Sequence, residues 1–190
     1  LTVVRKNFKK VVLLLNVGNI IDMTDINRIA PDAVLYVWQG GMTGGKGTAD
    51  VLTGKVSPSG KLPDTIAYKA SDYPSDANFG REKNRDIYAE DIYVGYRYFE
   101  TFAKEKVLYP FGFGLSYTEF EIKTEKAEIT EGAVKLSVSV TNIGSYKGKE
   151  VIEVYCEAPQ GRLGKAARVL CGFEKTRELV PQEEQVVEIA

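Results

Sequence analysis

The sequence predicts a chain in two parts. An α/β portion with a mostly parallel sheet comes first, an all-β sandwich follows, and neither part is expected to be complete. Three observations carry this. Continuous apolar runs alternate with helix signals over the first 70 residues. Ala133 to Asn142 alternates apolar and polar residues at strict period two. Short strand-like runs separated by turn-rich loops then continue to Ala190.

Leu1 to Lys10 reads as the end of a helix. "KVVLLLN", from Lys10 to Asn16, is an apolar run of the kind buried on both faces of a parallel sheet. Asp22 to Arg28 is a short helical segment, and Ala33 to Trp38 a second buried strand. Thr48 to Thr53 reads as a helix with Thr48 as its N-cap and Gly54 as its stop. A turn and a third short strand, Asp64 to Ala67, follow. Residues 70 to 115 are rich in Tyr, Asp, Arg, Gly and Phe with weak periodicity, and "IYVGYRYFE" reads as extended.

In the β half, Val134, Leu136, Val138 and Val140 share one face and Lys135, Ser137, Ser139 and Thr141 the other. "KEVIEVYCEA", "ARVLCGFEK" and "EQVVEIA" complete about five strands. A seven-stranded sandwich needs more chain.

Composition narrows the chemistry. The chain has 190 residues, 44% hydrophobic and 27% charged, with a net charge of −1. No bias favours nucleic acid or anionic lipid. The longest apolar stretch, Val11 to Leu15, is too short to span a membrane. The N-terminus lacks a signal-peptide pattern, so both a cytoplasmic and a secreted location stay open. There is no histidine, which removes Ser-His and Cys-His catalysis. Cys156 and Cys171 match no zinc spacing and, lying in strands, read as buried free thiols, with a disulfide between neighbouring strands as the alternative. No metal or cofactor is expected.

"WQGGMTGGKGTADVL", residues 38 to 52, has most of a nucleotide P-loop: Gly40, four residues, then Gly45-Lys46. That motif needs Ser or Thr directly after the lysine. Here Gly47 follows, and no buried run ends in a metal-holding Asp. A tight strand-to-helix turn explains the glycines better.

Glycoside hydrolysis needs two carboxylates about 5 to 10 Å apart. Glu90 and Asp91 are adjacent and would point opposite ways in an extended segment. Glu82 and Asp86 sit in "GREKNRD", a solvated loop. Neither pair qualifies. Tyr88, Tyr93, Tyr96, Tyr98, Phe99 and Phe102 could stack on sugar rings, but packing the connector is the simpler use of them. Trp38, ending a strand of an α/β sheet, lies where ligands tend to bind and is the candidate substrate-binding residue.

Three stretches together point to a family: "AVLYVWQGGMTGGKGTADVLTGKVSPSGKLPDTI", "YAEDIYVGYRYFETF", and "LYPFGFGLSYTEFE" with the following "VSVTNIGSYKGKEVIEVYCEAP" and "GFEKTRELVPQEEQVV". In this order they resemble the C-terminal part of glycoside hydrolase family 3, the β-glucosidase and β-xylosidase family. The resemblance runs from about Lys10 to Ala190. It implies an α/β sandwich portion over residues 1–70 and a linker over 71–115. It implies a fibronectin type III-like (immunoglobulin-like) domain over 116–190, cut before its final strands.

The resemblance also implies an enzyme removing terminal β-D-glucosyl residues by a retaining two-carboxylate mechanism without a cofactor. Typical members carry the aspartate nucleophile on a TIM-like barrel. Their acid/base glutamate precedes a stretch like "KKVVLLLNVGNII". Both would lie outside these residues, so no catalytic residue is expected here, and the chain alone should be inactive. The barrel and a β-glucoside are the expected partners, with a second copy of the chain as a candidate. Some members place the barrel last. One departure stands out. Many members have a Pro-Gly-Gln-Glu-Gly-Gly-like run where this chain has Gly40 to Gly45, with Thr43 at the glutamate position. The rival reading is a non-catalytic carbohydrate-binding or assembly module. Tyr146 and Tyr155 would be its aromatic candidates.

Overall fold

The computed structural model describes residues 1–190. They gather into two compact units, one of Leu1–Ala49 and Asp64–Phe111, the other of Asp50–Pro63 and Gly112–Ala190.

In the first unit, α1 (Thr2–Asn7) leads to β1 (Val12–Leu15), α2 (Thr24–Ile29) and β2 (Ala33–Tyr36). β1 and β2 pair in parallel, with Val12 opposite Ala33 and Leu15 opposite Tyr36. The crossover through α2 is what lets two parallel strands lie side by side. Asp32 fixes the start of the pair. Its carboxylate accepts from the Val11 amide at 2.8 Å, Arg5 at 2.8 Å and Lys10 at 3.3 Å. The Val11 amide first, then these cations, hold its carboxyl below the usual range. β1 is covered on one face, not both: Val11 and Leu15 are buried, but Val12 and Leu14 are 50% and 41% exposed.

The expectation of a mostly parallel sheet fails at the third strand. β3 (Ile66–Ala67) does not join β1 and β2. It pairs antiparallel with β4 (Val107–Tyr109), and every sheet except β1–β2 is antiparallel. The reason lies in residues 50–63, which belong to the second unit and carry Pro58, Gly60 and Pro63. The chain therefore reaches Ile66 without a crossover helix directly before it.

Two helices also differ from expectation. α3 spans Gly44–Leu52, so Thr48 is inside it rather than capping it. The Thr48 hydroxyl donates back to the Gly44 carbonyl at 2.9 Å, the usual refuge of a mid-helix threonine. The stop at Gly54 holds, with φ +74° and its amide donating to Val51. "IYVGYRYFE" is not extended. Gly95 caps α4 (Tyr96–Phe102), whose Phe99 is 1% exposed in a cluster with Ala67 and Ala103. Edge-on rings hold this packing: Tyr73 on Phe99 at 5.4 Å and Tyr93 on Phe102 at 4.8 Å. Of the six connector aromatics, Tyr88 takes no part; it is 89% exposed.

In the second unit, β5 (Phe120–Thr130), β6 (Ala133–Asn142) and β9 (Glu184–Ile189) form one sheet in the order β5-β6-β9. β7 (Val151–Cys156) and β8 (Val169–Lys175) form the other. Val138, Val140, Ile152, Leu179, Val187 and Ile189 make the core between them. The period-two reading of β6 is borne out for Val138 and Val140, 3% and 0% exposed. Val134, near the hairpin end, is 51% exposed.

Residues 57–63 are tied into this unit. Leu62 exchanges backbone hydrogen bonds with Phe113 and Gly112 at 2.8 and 2.9 Å. Lys61 pairs with Glu150 at 2.7 Å, and Lys175 donates to the Ser59 carbonyl at 2.9 Å. Burial, then repulsion from Lys149, pushes the Lys175 ammonium below its ordinary pKa.

Neither cysteine is buried. Cys156 ends β7, and Cys171 lies at the register shift between β7 and β8, where its thiol reaches the Val154 carbonyl at 3.3 Å. Strand membership suggested burial, but a strand end and a bulge are where side chains escape the core. An aromatic disulfide reagent should titrate both thiols of the folded chain without denaturant; a chain that reacts only after unfolding would overturn this placement.

Candidate substrate-binding edge

The carboxyl end of the β1–β2 pair is the place where open α/β sheets bind ligands. Two loops meet there. One leaves β1 through Asn16, Gly18 and Asn19. The other leaves β2 through Trp38, Gln39 and the glycine run. The Val37 amide still donates to Leu15 at 2.9 Å, so the two loops diverge only beyond that point.

Trp38 then breaks the strand with φ +55°, a left-handed conformation unusual for a bulky side chain. Such strain persists only where the surroundings impose it, and it clusters at ligand sites. The Trp38 ring is half-buried and lies against Tyr36, centroids 5.0 Å apart and planes tilted by 39°. Tyr36 is fixed in turn. Its hydroxyl accepts from the Ile21 amide at 3.2 Å, and burial raises its pKa above the ordinary tyrosine value. Beneath it, Met23 is 1% exposed.

The glycine run is a turn. A Cβ on Gly40 would lie 2.7 Å from the Gly44 Cα, so only glycine fits there. The Gly44 amide closes the turn onto Gly41, and α3 begins at once. Met42 stands at the apex, fully exposed.

What the edge offers is neutral: an indole supported by a second ring, and the amide groups of Asn16, Asn19 and Gln39 on exposed loop positions. Rings and amides suit a neutral polyhydroxyl ligand, which needs an apolar face and paired donors and acceptors. Its nearest acid in sequence, Asp22, accepts from the Thr24 amide at 2.8 Å. The Thr24 hydrogen bonds hold its carboxyl below the usual range, which suits a turn-former rather than a proton donor.

The carboxylates weighed from the sequence have their own local settings. Glu82 is bound by Arg85 through two hydrogen bonds, 2.7 and 3.0 Å, which depress its pKa. Glu90 and Asp91 sit in a turn rather than an extended segment, Asp91 with φ +51°. Tyr36 and Gln39 were not singled out in the sequence. The signal available was an aromatic pair at i and i+2 on the end of a parallel strand, where both rings face the same way.

The α/β portion that carries this neutral edge is followed by an antiparallel sandwich. Residues 1–117 match the glycosyl hydrolase family 3 C-terminal domain, and residues 150–190 match a fibronectin type III-like domain. The chain belongs to glycosyl hydrolase family 3. A β-glucosidase of Ruminococcus albus is 66% identical over 186 residues, which are 98% of this chain and 19% of that protein. The solved β-glucosidase of Paenibacillus barengoltzii superposes with a TM-score of 0.93 at 54% identity, covering 99% of this chain and 21% of that one. β-Glucosidase 3B of Thermotoga neapolitana, solved with α-D-glucose, gives 0.88 at 40% identity, covering 96% and 26%. The chain spans about a fifth to a quarter of the length of the relatives it matches.

Proposed function

We propose that this chain is part of an exo-acting β-glucosidase that removes terminal β-D-glucosyl residues by a retaining mechanism, with both reacting carboxylates outside these residues. The observation that carries the reading is the 66% identity, across 98% of the chain, to a protein named β-glucosidase. In that mechanism one carboxylate attacks the anomeric carbon while a second protonates the leaving oxygen; water then releases the sugar. Residues 1–70 serve as the α/β portion, 71–115 as the linker and 116–190 as the fibronectin type III-like domain. A TIM-like barrel supplies the nucleophile. The exposed apolar face of Val12 and Leu14 supports a further layer packing on the parallel pair, as both faces of a parallel sheet are usually covered.

Within this reading Trp38 stacks on the sugar, and the amides of the same edge hydrogen-bond its hydroxyls. The reaction needs no cofactor. In the full-length protein, Trp38→Ala should lower kcat/KM for an aryl β-D-glucoside roughly tenfold, mostly through KM, because an aromatic platform is worth about 1–2 kcal/mol. Trp38→Phe should keep most of the activity. Unchanged kinetics in Trp38→Ala would remove Trp38 from the site, and a full-length protein without β-glucosidase activity would sink the function.

A further inference from the structure

The unpaired edge of β5 is self-complementary, and we infer that two copies of the chain associate through it, β5 against β5, into one continuous antiparallel sheet. β5 is an 11-residue strand whose only partner is β6. Its other edge therefore presents unpaired backbone groups, a template for strand addition. The occupant is named by the sequence of the edge itself.

A two-fold axis sets β5 antiparallel to its copy, each contact occurring twice. Put the axis between Glu125 and Lys126. Ile122 then faces the copy's Ile129, Lys123 its Glu128, Thr124 its Ala127, and Glu125 its Lys126. The isoleucines are 47% and 85% exposed in the single chain and would cover each other. Both charge pairs are opposite in sign.

The bulge makes this register possible. In an unbroken strand, residues 122 and 129 point to opposite faces. The register shift between Thr124 and Lys126 reverses the alternation, so Ile122 lies beside Val140 and Ile129 beside Val134, both on the core-side face of β6. Backbone direction agrees. The Glu119 carbonyl accepts from Ile143 at 2.9 Å and so points toward β6. By alternation, Ile122 and Thr124 present their amides and carbonyls to the free edge, and beyond the shift Ala127 and Ile129 do the same. In the chosen register these residues pair with one another.

Neighbouring registers are worse. Sliding by two residues one way sets Glu121 against Glu128 and Lys123 against Lys126; sliding the other way sets Glu125 against Glu128. Directly opposed like charges are destabilising. Charged edge strands usually repel pairing, and here the same charges select one pairing. Lys123 and Lys126 already bridge to Glu121 and Glu128 along their own strand, and all four stay largely exposed, so they are placed to reach across.

The test is sedimentation velocity on the chain and a charge-swap cycle. The chain should be a dimer at micromolar concentrations. Lys123→Glu should raise the dimer Kd by at least about tenfold, because two attractive pairs become repulsive. Glu128→Lys should do the same, and the double variant Lys123→Glu/Glu128→Lys should restore the dimer. Both positions are exposed, so folding is not at risk, and rescue by the double variant separates pairing from misfolding. A monomeric chain, or a dimer indifferent to the swaps, would overturn the proposal.

Discussion

Replacing Asn142 by alanine should cost the β unit about 3 kcal/mol, enough to lower hydrogen-exchange protection of segment 134–142 by roughly a hundredfold. Asn142 is 0% exposed, a polar side chain in an apolar core. It is tolerated because it is fully paired. Its Oδ1 accepts from the Thr118 hydroxyl at 2.7 Å and the Gly144 amide at 3.1 Å. Its Nδ2 donates to the carbonyls of Tyr146 and Leu179 at 2.7 and 2.9 Å. Its own backbone meets Glu183 and Gln182. One side chain thus joins the end of β6 to three loops.

Alanine would strand the Thr118 hydroxyl and the Tyr146 carbonyl. The Gly144 amide keeps Glu119, and the Leu179 carbonyl keeps the Gly148 amide, which limits the loss. Thr118→Val should cost only about 1 kcal/mol, and almost nothing further in the Asn142→Ala background, because the two share one bond. The turn has no slack either. A Cβ on Gly144 would collide with the Thr118 hydroxyl and lie 2.7 Å from the Glu119 amide. Equal protection in the wild type and Asn142→Ala would show that the network is ornamental to stability.

Local patterns were legible in the sequence where one physical cause dominates. Period two placed β6 to the residue, because Val138 and Val140 share the side of the strand that packs into the core. Apolar runs found β1 and β2, and Gly54 ended α3 as expected. Competing causes hid the rest. The aromatic stretch at Tyr96–Phe102 has strand-like composition, yet its rings pack at helical spacing, Tyr98 beside Phe102 at 5.8 Å. α3 opens on Gly44, Gly45 and Gly47, residues of poor helix propensity, so its first turn looked like loop. The pairing of β3 with β4 joins residues about 40 positions apart, which no local pattern encodes.

The candidate edge divides in the same way. Trp38 stands out in the sequence because ligands tend to bind at strand ends in α/β sheets. Tyr36 as its support, and the positive φ that turns the Trp38 backbone, emerge only in three dimensions. Glu90 and Asp91 lie in a turn rather than in the extended segment expected.

The largest effect should appear in catalysis, and it bears on the central claim that these residues bind and scaffold but do not react. Each reacting carboxylate of a retaining glycosidase contributes roughly 10²–10⁴-fold to the rate, and losing both removes the reaction path itself. The decisive measurement is hydrolysis of an aryl β-D-glucoside by the purified 190-residue chain, its fold checked by circular dichroism, beside the full-length protein. The expected result is clear turnover by the full-length protein and none above buffer by the chain. Turnover by the chain that is abolished by substituting Glu82, Asp86, Glu90 or Asp91 would contradict it, and would put the reacting acids inside these residues.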